Sequence, residues 1–413
     1  MADLIVELYG HHIGNLVGTN PRTFDFATNP AAFEFFPLGS RELSNSVPLE
    51  LVAARGGHAA SRRRNYFAEL LPEGDLYTYL RGQAGIENGD TIAMLAQYGR
   101  DVSGAIQIYD PDRPGEPRTP FATDVDDARI GDLLRDARRY PLGNAKRTGK
   151  SLINGVQPKI VLARSGGGWQ QPNDGYASTH ILKPQLDTDD TTIFDEEYGS
   201  RIARSLGLLN YDTAIEVFDG IRTLVIERYD RSPDAPDGRI HQEDMNQALG
   251  ASGNEKYQQL GGKTTLRRIA DVFMKRGDIE SGERLTRLNT LAVAVGNLDM
   301  HGKNISILHP RQARDGLAPA YDVVPTAHRD NDRRMALAIN ETYLHAELTL
   351  ADIVAEAESW GVRSADPLVR DTLISILEFV DDNAPLKGAY PSLRRDIRGF
   401  TTNLLAGRPA GDE

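Results

Sequence analysis

A polar loop that directly follows an apolar helical stripe constrains this chain more than any other stretch. Leucine, alanine and valine recur at helical spacing from Leu285 to Val295, which predicts a helix with one buried face. The chain continues as Gly-Asn-Leu-Asp-Met-His-Gly-Lys-Asn over residues 296–304, and a Tyr-Asp unit follows at 321–322. The helix therefore delivers a loop rich in carboxylate and amide groups, and a second carboxylate comes a short distance later in the chain.

This set of polar groups suits phosphoryl transfer from ATP. One carboxylate, Asp299, would accept the proton of an attacking hydroxyl, while the amide oxygen of Asn304 and the carboxylate of Asp322 would hold Mg²⁺. The catalytic aspartate and asparagine of protein kinases are also five residues apart. The position of His301, two residues after Asp299, is similar to the loop of phosphoinositide lipid kinases. On this stretch alone, a polar turn that caps a helix remains an open alternative.

Length and composition exclude several classes of protein. The 413 residues suffice for two or three domains, and 40% hydrophobic with 26% charged residues is the composition of an ordinary globular protein. The net charge is −12, so non-specific binding to nucleic acid by the chain alone is not expected. Cysteine is absent, which excludes disulfides, zinc-thiolate sites and cysteine nucleophiles. No signal peptide or membrane-length apolar run is visible, and we expect a cytoplasmic protein without membrane contact.

A proline-rich linker divides the chain. Residues 110–120 contain four prolines and no hydrophobic period, which indicates a domain boundary. We predict three parts: an N-terminal subdomain over residues 1–112, small-lobe elements with a phosphate loop over 122–229, and a helical large lobe with the catalytic loop over 230–405. The N-terminal part should begin with a hairpin of two strands, because the apolar runs at 4–9 and 11–18 are separated by a short turn.

The middle part has the element order of a kinase small lobe. The predicted elements are strands over 159–163, 180–183, 213–218 and 222–229 and a helix over 195–207. Asp219-Gly220 is a hairpin turn signal between the last two strands. Residues 165–179, which begin with three glycines after a serine, are expected to form a long flexible turn. Lys183 on its strand and Glu197 on the next helix are candidates for an ion pair; the alternative is a solvated lysine on an edge strand.

Helical patterns dominate the C-terminal part. Thr349 to Asp352 forms the sequence of a capping box, and Asp366-Pro367 is expected to start a further helix as N-cap and first residue. The tail from Ala406 onward is polar, so we expect it to fray. Together the patterns predict an α+β chain with a two-lobed protein-kinase-like fold, a β-rich N-terminal subdomain and a mostly helical C-terminal lobe.

Several motifs occur together in one order. They are Gly155-x-Gln157-x-Lys159, Glu227-Arg-Tyr-Asp-Arg231, Gln242-Glu-Asp-Met245, Asp299-x-His-x-Lys-Asn304 and Tyr321-Asp322. In this order they resemble the HipA-type serine/threonine kinases, the toxin halves of bacterial HipBA toxin–antitoxin modules. Leu70-Leu-Pro72 and Gly99-Arg-Asp101 are also similar to the N-terminal subdomain of that family, so the resemblance covers almost the whole chain.

The resemblance implies a role for each matching residue. It assigns Asp299 as catalytic base and Asn304 and Asp322 as Mg²⁺ ligands, with Tyr321 beside them. It assigns ATP binding to three further groups of residues. These are the phosphate loop with Asn154, Gly155, Val156, Gln157 and Lys159, the adenine hinge with Glu227, Arg228 and Tyr229, and the phosphate contacts Lys183, His301 and Lys303.

The resemblance also implies regulation, a substrate and a partner. Family members autophosphorylate a serine three residues before the glycine of the phosphate loop, where this chain has Leu152. Ser151, one residue earlier, is therefore the autophosphorylation candidate. The alternative is that this chain lacks regulation by autophosphorylation. The implied substrate is an aminoacyl-tRNA synthetase, whose phosphorylation halts translation. The implied partner is a HipB-like helix-turn-helix antitoxin, through which the chain would reach operator DNA.

Three other functions stay open at this stage. A small-molecule phosphotransferase on a kinase-like fold would need the same three polar residues, since these residues do not determine which molecule accepts the phosphate. A non-catalytic co-repressor docked on a DNA-binding partner would not need all three. A metal hydrolase could use Asp299, His301, His309 and Asp322, although no helical His pair supports it.

Overall fold

The chain divides into two compact units. The computed structural model describes residues 3–52, 57–137, 151–152, 157–311 and 313–412. The first unit comprises Met1–Pro184, Glu216–Glu243 and Leu308–Arg314, and the second comprises Gln185–Ile215, Asp244–Ile307 and Asp315–Glu413. In the part of the chain that is described, no helix is long and apolar enough to cross a membrane. The domain boundaries drawn from the proline-rich linker stay a prediction.

An antiparallel sheet with helices on it begins the first unit. Its strands are β1 (Leu4–Leu8), β2 (His11–Val17), β3 (Asp25–Thr28) and β4 (Ile106–Tyr109), in the order β3-β2-β1-β4. The helices are α1 (Gly57–Ala68), α2 (Gly74–Ala84) and α3 (Thr91–Tyr98). The predicted β1–β2 hairpin is confirmed, with Leu4 opposite Leu16. Alternate residues of β1 are fully buried, which is the pattern of a strand with one face on a core.

A six-stranded sheet forms the rest of the first unit's β structure. The strands are β5 (Phe121–Val125), β6 (Ile160–Ser165), β7 (Gly168–Asn173), β8 (His180–Pro184), β9 (Thr213–Phe218) and β10 (Ile221–Glu227), and the helix α4 (Asp127–Arg135) packs on them. The order is β5-β7-β6-β8-β10-β9. The predicted turn between β9 and β10 is confirmed, because Asp219 and Gly220 both have positive φ, 45° and 82°.

Two predictions for this sheet are wrong. Residues 165–179 do not form one long flexible turn: Gly166 and Gly167 make a tight turn, and β7 pairs with β5 on one side and β6 on the other. Glutamine, proline and asparagine are weak strand formers, so pairing on both sides determines this strand rather than local propensity. The strand of Lys183, β8, is not an edge strand, because it lies between β6 and β10.

Helices make up most of the second unit. They are α5 (Thr192–Ser205), α6 (Met245–Leu249), α7 (Leu266–Met274), α8 (Ile279–Val295), α9 (Leu350–Ser359), α10 (Ala365–Asp382) and α11 (Leu393–Leu405). Three short strands belong to this unit, namely β13 (Gly316–Leu317), β14 (Arg334–Ile339) and β15 (Thr342–Leu344). The residues of β11 (His241–Asp244) and β12 (Ser306–His309) are divided between the two units. The central helix is α8, whose last six residues are all buried and which packs against α5, α7, α10 and α11.

The helix ends of this unit test three predictions. The capping box of α9 is confirmed, because Thr349 and Asp352 each accept a hydrogen bond from the other's backbone N–H. The N-cap of α10 is Ser364 rather than Asp366, so the helix begins before the Asp-Pro pair. The C-terminal tail is not frayed: Ala410 is fully buried and its N–H donates to the carbonyl of Leu348. A backbone pairing of this kind has no signature in local composition.

A buried network of charges lies inside the first unit. Arg231 forms an ion pair with Asp101 and another with Asp230, each at 3.0 Å between nitrogen and oxygen. Arg228 forms an ion pair with Asp230 at 2.8 Å. Burial alone would raise the pKa of Asp101, but the surrounding guanidinium groups, with Arg231 foremost, outweigh it and hold the pKa below its ordinary value. The pKa of Asp230 is lowered in the same way, chiefly by Arg228. Both carboxylates therefore stay ionised inside the fold.

We predict that Asp230→Asn destabilises the chain by about 3–5 kcal/mol, because the change leaves Arg228 and Arg231 buried without their charge partner. A lowered carboxyl pKa contributes stability above the unfolded-state pKa, and this contribution is lost as pH falls. Wild-type stability should therefore drop between about pH 5 and pH 2, with a smaller drop in the variant. Urea unfolding at each pH measures this. The control is Asp132→Asn at an exposed ion pair, and equal losses in the two variants would contradict the prediction.

Candidate active site

The polar loop starts at a glycine that ends helix α8. Gly296 has φ +69°, the left-handed conformation of a helix C-cap, and its N–H closes the last turn on Val293. A Cβ at this position would lie 2.6 Å from the Cβ of Ala327. The carbonyl of Gly296 accepts the N–H groups of Thr326 and Ala327, at 2.8 and 3.0 Å. The end of the helix is therefore fixed to the segment that follows Asp322.

Asp299 is held by its backbone, while its carboxylate faces outward. Its N–H donates to Oδ1 of Asn297 at 3.2 Å, and its carbonyl accepts the N–H of His301 at 2.8 Å and Nδ2 of Asn304 at 2.9 Å. The side chain is 57% exposed. A carboxylate on a rigid backbone that is open to solvent can exchange a proton with an incoming hydroxyl.

The segment of Tyr321 and Asp322 is joined to this loop by hydrogen bonds. Nδ2 of Asn297 donates to the carbonyl of Asp322 at 3.3 Å, and the hydroxyl of Tyr321 donates to the carbonyl of Lys303 at 2.7 Å. Asp322 has φ +51°, a left-handed conformation that few residues other than glycine, asparagine and aspartate adopt without strain. Asp299, Asn304 and Asp322 all lie in the second unit and share a hydrogen-bonded frame, and their chemical roles stay a prediction.

The donor set fits magnesium. Asn304 uses Nδ2 for the carbonyl of Asp299, so its Oδ1 is oriented away from that contact. One amide oxygen and one carboxylate are the hard oxygen ligands that Mg²⁺ takes from protein when phosphates supply the rest. Among the described residues, no group of three or more His, Cys, Asp or Glu side chains is arranged to hold a metal.

Two residues that the sequence analysis missed touch the loop. The hydroxyl of Tyr257 donates to Oδ1 of Asp299 at 3.1 Å, and its ring meets that of His301 edge-on at 5.2 Å. A Cβ on Gly302 would lie 2.9 Å from Oδ1 of Asn246, which also accepts the Thr264 hydroxyl. Lys256-Tyr257 lies between glycines in a segment without hydrophobic period, so no pattern in one sequence indicates it.

The motif at Gln242 to Met245 has a structural explanation. Asp244 caps helix α6 by accepting the N–H of Gln247 at 2.9 Å, and Oε1 of Gln247 accepts the N–H of Asp244 at 3.0 Å. This capping box fixes the first turn of α6, which carries Asn246 to the catalytic loop. The motif therefore holds a helix start rather than supplying a reactive group.

The phosphate-side residues predicted in the first unit are described only in part. Lys159 and Lys183 are both 4% exposed, and Lys183 lies opposite Leu224 of β10. Asn154, Gly155 and Val156 lie outside the described residues, as does most of the predicted loop, whereas Gln157 is described and half-buried. The predicted partner of Lys183, Glu197, pairs with Arg201 at 2.9 Å, and burial raises the pKa of Glu197 despite this arginine. The Lys183–Glu197 pair stays a prediction.

The residues predicted as adenine hinge differ from one another. Glu227 is exposed at the end of β10, Arg228 is buried in the charge network, and the Tyr229 hydroxyl donates to Gln242. The side chain of Arg228 is thus committed to the network, and its backbone N–H donates to the carbonyl of Thr179 at 2.9 Å. Ser151 is buried, and its hydroxyl donates to Oδ2 of Asp101 at 2.9 Å.

A glycine on α5 lets the Asp322 segment approach the helix. A Cβ on Gly199 would lie 2.0 Å from the carbonyl oxygen of Val323, the residue after Asp322. Backbone atoms cannot move aside as a flexible side chain does, so this contact allows no larger residue without displacement of the segment. Glycine weakens a helix interior relative to alanine by about 1 kcal/mol, and the close approach explains its presence.

We predict that Gly199→Ala destabilises the chain by about 1–3 kcal/mol, because the added methyl group overpacks against backbone. The matched control is Gly399→Ala on α11, where a Cβ meets nothing within 4 Å; there the change should stabilise by up to about 1 kcal/mol. Urea unfolding measures the free energy of unfolding of both variants, and we expect its dependence on urea concentration to be unchanged. A stabilising effect at position 199 would show that the segment yields without cost.

Comparisons with known proteins show which family this chain is similar to. A family model described as HipA-like C-terminal domain matches residues 151–381, and one described as HipA N-terminal domain matches residues 4–109. The chain is 32% identical over 354 residues to "Putative kinase Y4mE" of Sinorhizobium fredii, covering 81% of each chain. It is 24% identical over 422 residues to the serine/threonine-protein kinase toxin HipA of Shewanella oneidensis, covering 96% of this chain and 94% of that one.

A solved structure shares the fold. The chain superimposes with a TM-score of 0.76 and 23% identity on a chain of the Shewanella oneidensis MR-1 complex of HipA, HipB and operator DNA, covering 98% of this chain and 96% of that one. The predicted α+β, kinase-like fold with two lobes is thereby confirmed. The family models together with the Sinorhizobium relative, which the chain matches over more than two thirds of its length, show that the chain belongs to the HipA-type family.

Proposed function

We propose that this chain is an ATP-dependent serine/threonine protein kinase and the toxin of a type II toxin–antitoxin module. It phosphorylates an aminoacyl-tRNA synthetase in the cytoplasm, which arrests translation and growth and leads to persistence. The observation that carries the proposal is the shared hydrogen-bonded frame of Asp299, Asn304 and Asp322. The names of the relatives, which include kinases and a serine/threonine-protein kinase toxin, support it.

Each residue of the frame has one role in this proposal. Asp299 accepts the proton of the serine or threonine hydroxyl as that oxygen attacks the γ-phosphorus. Asn304 and Asp322 hold Mg²⁺, which neutralises the phosphate charge that develops during transfer. His301 and Lys303, both largely buried beside Asp299, and Tyr321 complete the surroundings of the phosphates.

The nucleotide-binding roles rest on the family resemblance and on burial. Lys159 and Lys183 carry the charges for the ATP phosphates, and residues 154–157 supply backbone N–H groups. Glu227 to Tyr229 bind adenine through the backbone, because the Arg228 side chain is committed to Asp230.

Two other functions compete with this proposal. A small-molecule phosphotransferase would use the same frame, and only the acceptor distinguishes it. A non-catalytic co-repressor would have no use for a carboxylate that is exposed and oriented by three backbone contacts. The frame therefore favours an enzyme over a scaffold.

The proposed partner is a basic helix-turn-helix antitoxin. A chain with a net charge of −12 is repelled by the phosphate backbone and needs a cationic partner to reach operator DNA. The similar Shewanella chain was solved in a complex with HipB and operator DNA. Tight, salt-sensitive operator binding by the isolated chain would contradict this part of the proposal.

Ser151 remains the proposed autophosphorylation site. Its hydroxyl must first leave Asp101, since it donates to that carboxylate from a buried position. A phosphate would add about −1.5 to −2 charges next to Asp101, and the repulsion would keep the segment out. Mass spectrometry after incubation with ATP and Mg²⁺ tests this: an active enzyme without phosphate on Ser151 lacks the switch and must be silenced by its partner.

We predict that Asp299→Asn lowers ATP-dependent phosphorylation by roughly 10²–10⁴-fold, because the amide cannot accept the hydroxyl proton. The pure protein is incubated with γ-labelled ATP and Mg²⁺, alone and with cell extract. Label on a protein band supports the kinase, whereas label only on a small molecule supports the phosphotransferase.

The control for this experiment is Asp371→Asn, which removes an exposed carboxylate on α10. It should keep full activity and an unchanged melting temperature. Near wild-type phosphorylation by Asp299→Asn would remove Asp299 from the mechanism and the kinase proposal with it.

We also predict that ATP raises the melting temperature more with Mg²⁺ than with EDTA, and that Asp322→Asn abolishes this difference. Asparagine tolerates the left-handed conformation at this position, so the change removes the metal-binding charge without adding backbone strain. Thermal unfolding of both proteins with ATP, with and without EDTA, measures the effect. If the Mg²⁺-dependent shift persists in the variant, the metal lies elsewhere.

A further inference from the structure

Tyr257 stands in an extended conformation between two short 3-10 turns, Gly253–Lys256 and Gln258–Leu260. Its φ and ψ are −92° and 127°. From this place its hydroxyl donates to Oδ1 of Asp299 at 3.1 Å, and its ring lies edge-on against His301. The side chain thus meets the catalytic loop at two points, once with a polar atom and once with its ring.

The position of Tyr257 is fixed without help from Asp299. Before it, Glu255 accepts the N–H of Ser252 at 2.9 Å and pairs with Lys263 at 2.9 Å, which closes the segment on itself. After it, Oε1 of Gln258 accepts the N–H of Ala338 in β14 at 3.0 Å. Because both neighbours are anchored, the phenol is a fixed donor and Asp299 is the group that it orients.

An exposed carboxylate needs such a donor if it is to act as a base in one geometry. The side chain of Asp299 is more than half exposed, so a hydrogen bond restricts the rotamers that it can adopt. The hydrogen bond to Oδ1 favours one rotamer and directs Oδ2 to the other side, where Nε2 of His301 is 3.9 Å away.

We propose that Tyr257 is a positioning residue for the base Asp299, an inference that rests on the proposed kinase function. Its hydroxyl holds Oδ1, so that Oδ2 receives the proton of the acceptor hydroxyl while the new oxygen–phosphorus bond forms and the bond to ADP breaks. The tyrosine does not react and keeps its own proton. Its segment, from Ser252 to Lys263, thereby sets the side from which the acceptor approaches Asp299.

Tyr257→Phe tests this, because it removes the hydroxyl and keeps the ring against His301. With casein as a model acceptor, kcat should fall roughly 10- to 100-fold, the effect of one lost hydrogen bond to a charged group, while KM for ATP stays constant. Tyr343→Phe, which removes a hydroxyl on β15 in the same unit, should match the wild type in every respect.

A merely structural tyrosine would change KM for ATP or the melting temperature together with kcat, whereas a positioning residue changes kcat alone. If Asp299→Asn is inactive while Tyr257→Phe keeps wild-type kcat, the inference fails and the kinase proposal stands. If the wild type phosphorylates neither casein nor a protein of the cell extract, or if Asp299→Asn keeps activity, the kinase proposal fails first.

Discussion

The side-chain amide of Asn297 is the interaction on which the rest of the site depends. Its Oδ1 accepts the N–H of Asp299 and its Nδ2 donates to the carbonyl of Asp322, so one buried side chain joins two segments that are distant in sequence. A carboxylate, which has no donor, or an amine, which has no acceptor, could make only one of these two bonds. Because Gly296, the residue before Asn297, caps α8, the position of this amide is set by a helix whose last six residues are all buried.

The first unit contains ionised side chains that are buried in its interior. Its network brings three arginines, Arg228, Arg231 and Arg239, to two carboxylates, Asp101 and Asp230. The excess positive charge is compensated by carbonyl groups, among them those of Val102 and Gly104, which accept arginine N–H groups. Such a network adds little net stability over apolar packing, but every group in it has one permitted geometry. It therefore fixes the chain after β10 to the loop before β4, two segments that the sequence separates by more than a hundred residues.

Local patterns in the sequence predicted those elements whose own residues determine them. The β9–β10 hairpin follows from Asp219-Gly220, and α8 follows from its apolar stripe, and both are confirmed. Strand β7 and the ordered tail were predicted wrongly, because pairing with distant segments decides them and leaves no trace in composition. Helix propensity alone disfavours a glycine at position 199 of α5. The close approach of the Val323 carbonyl to this helix explains the glycine.

The same reasoning separates the parts of the site that could be predicted from those that could not. Asp299, Asn304 and Asp322 could be proposed from the sequence because phosphoryl transfer requires a carboxylate, an amide and a second carboxylate of this kind. Tyr257 was not found, because a tyrosine that orients a base has no fixed spacing from it and reaches it through the fold. Residues that react are thus visible in a motif, whereas residues that position them become visible only as contacts.

The identity of residue 304 follows from this distinction. Asn304 donates through Nδ2 to the carbonyl of Asp299, and in the proposed function it also offers its oxygen to Mg²⁺. An aspartate in its place would bring a second charge to the metal but would set an oxygen against the Asp299 carbonyl, at a distance where only a donor is tolerated. The loop would then lose the bond that closes it between Asp299 and Asn304. An amide is the one side chain of this length that meets both demands, so the position of the base and the binding of the metal depend on the same group.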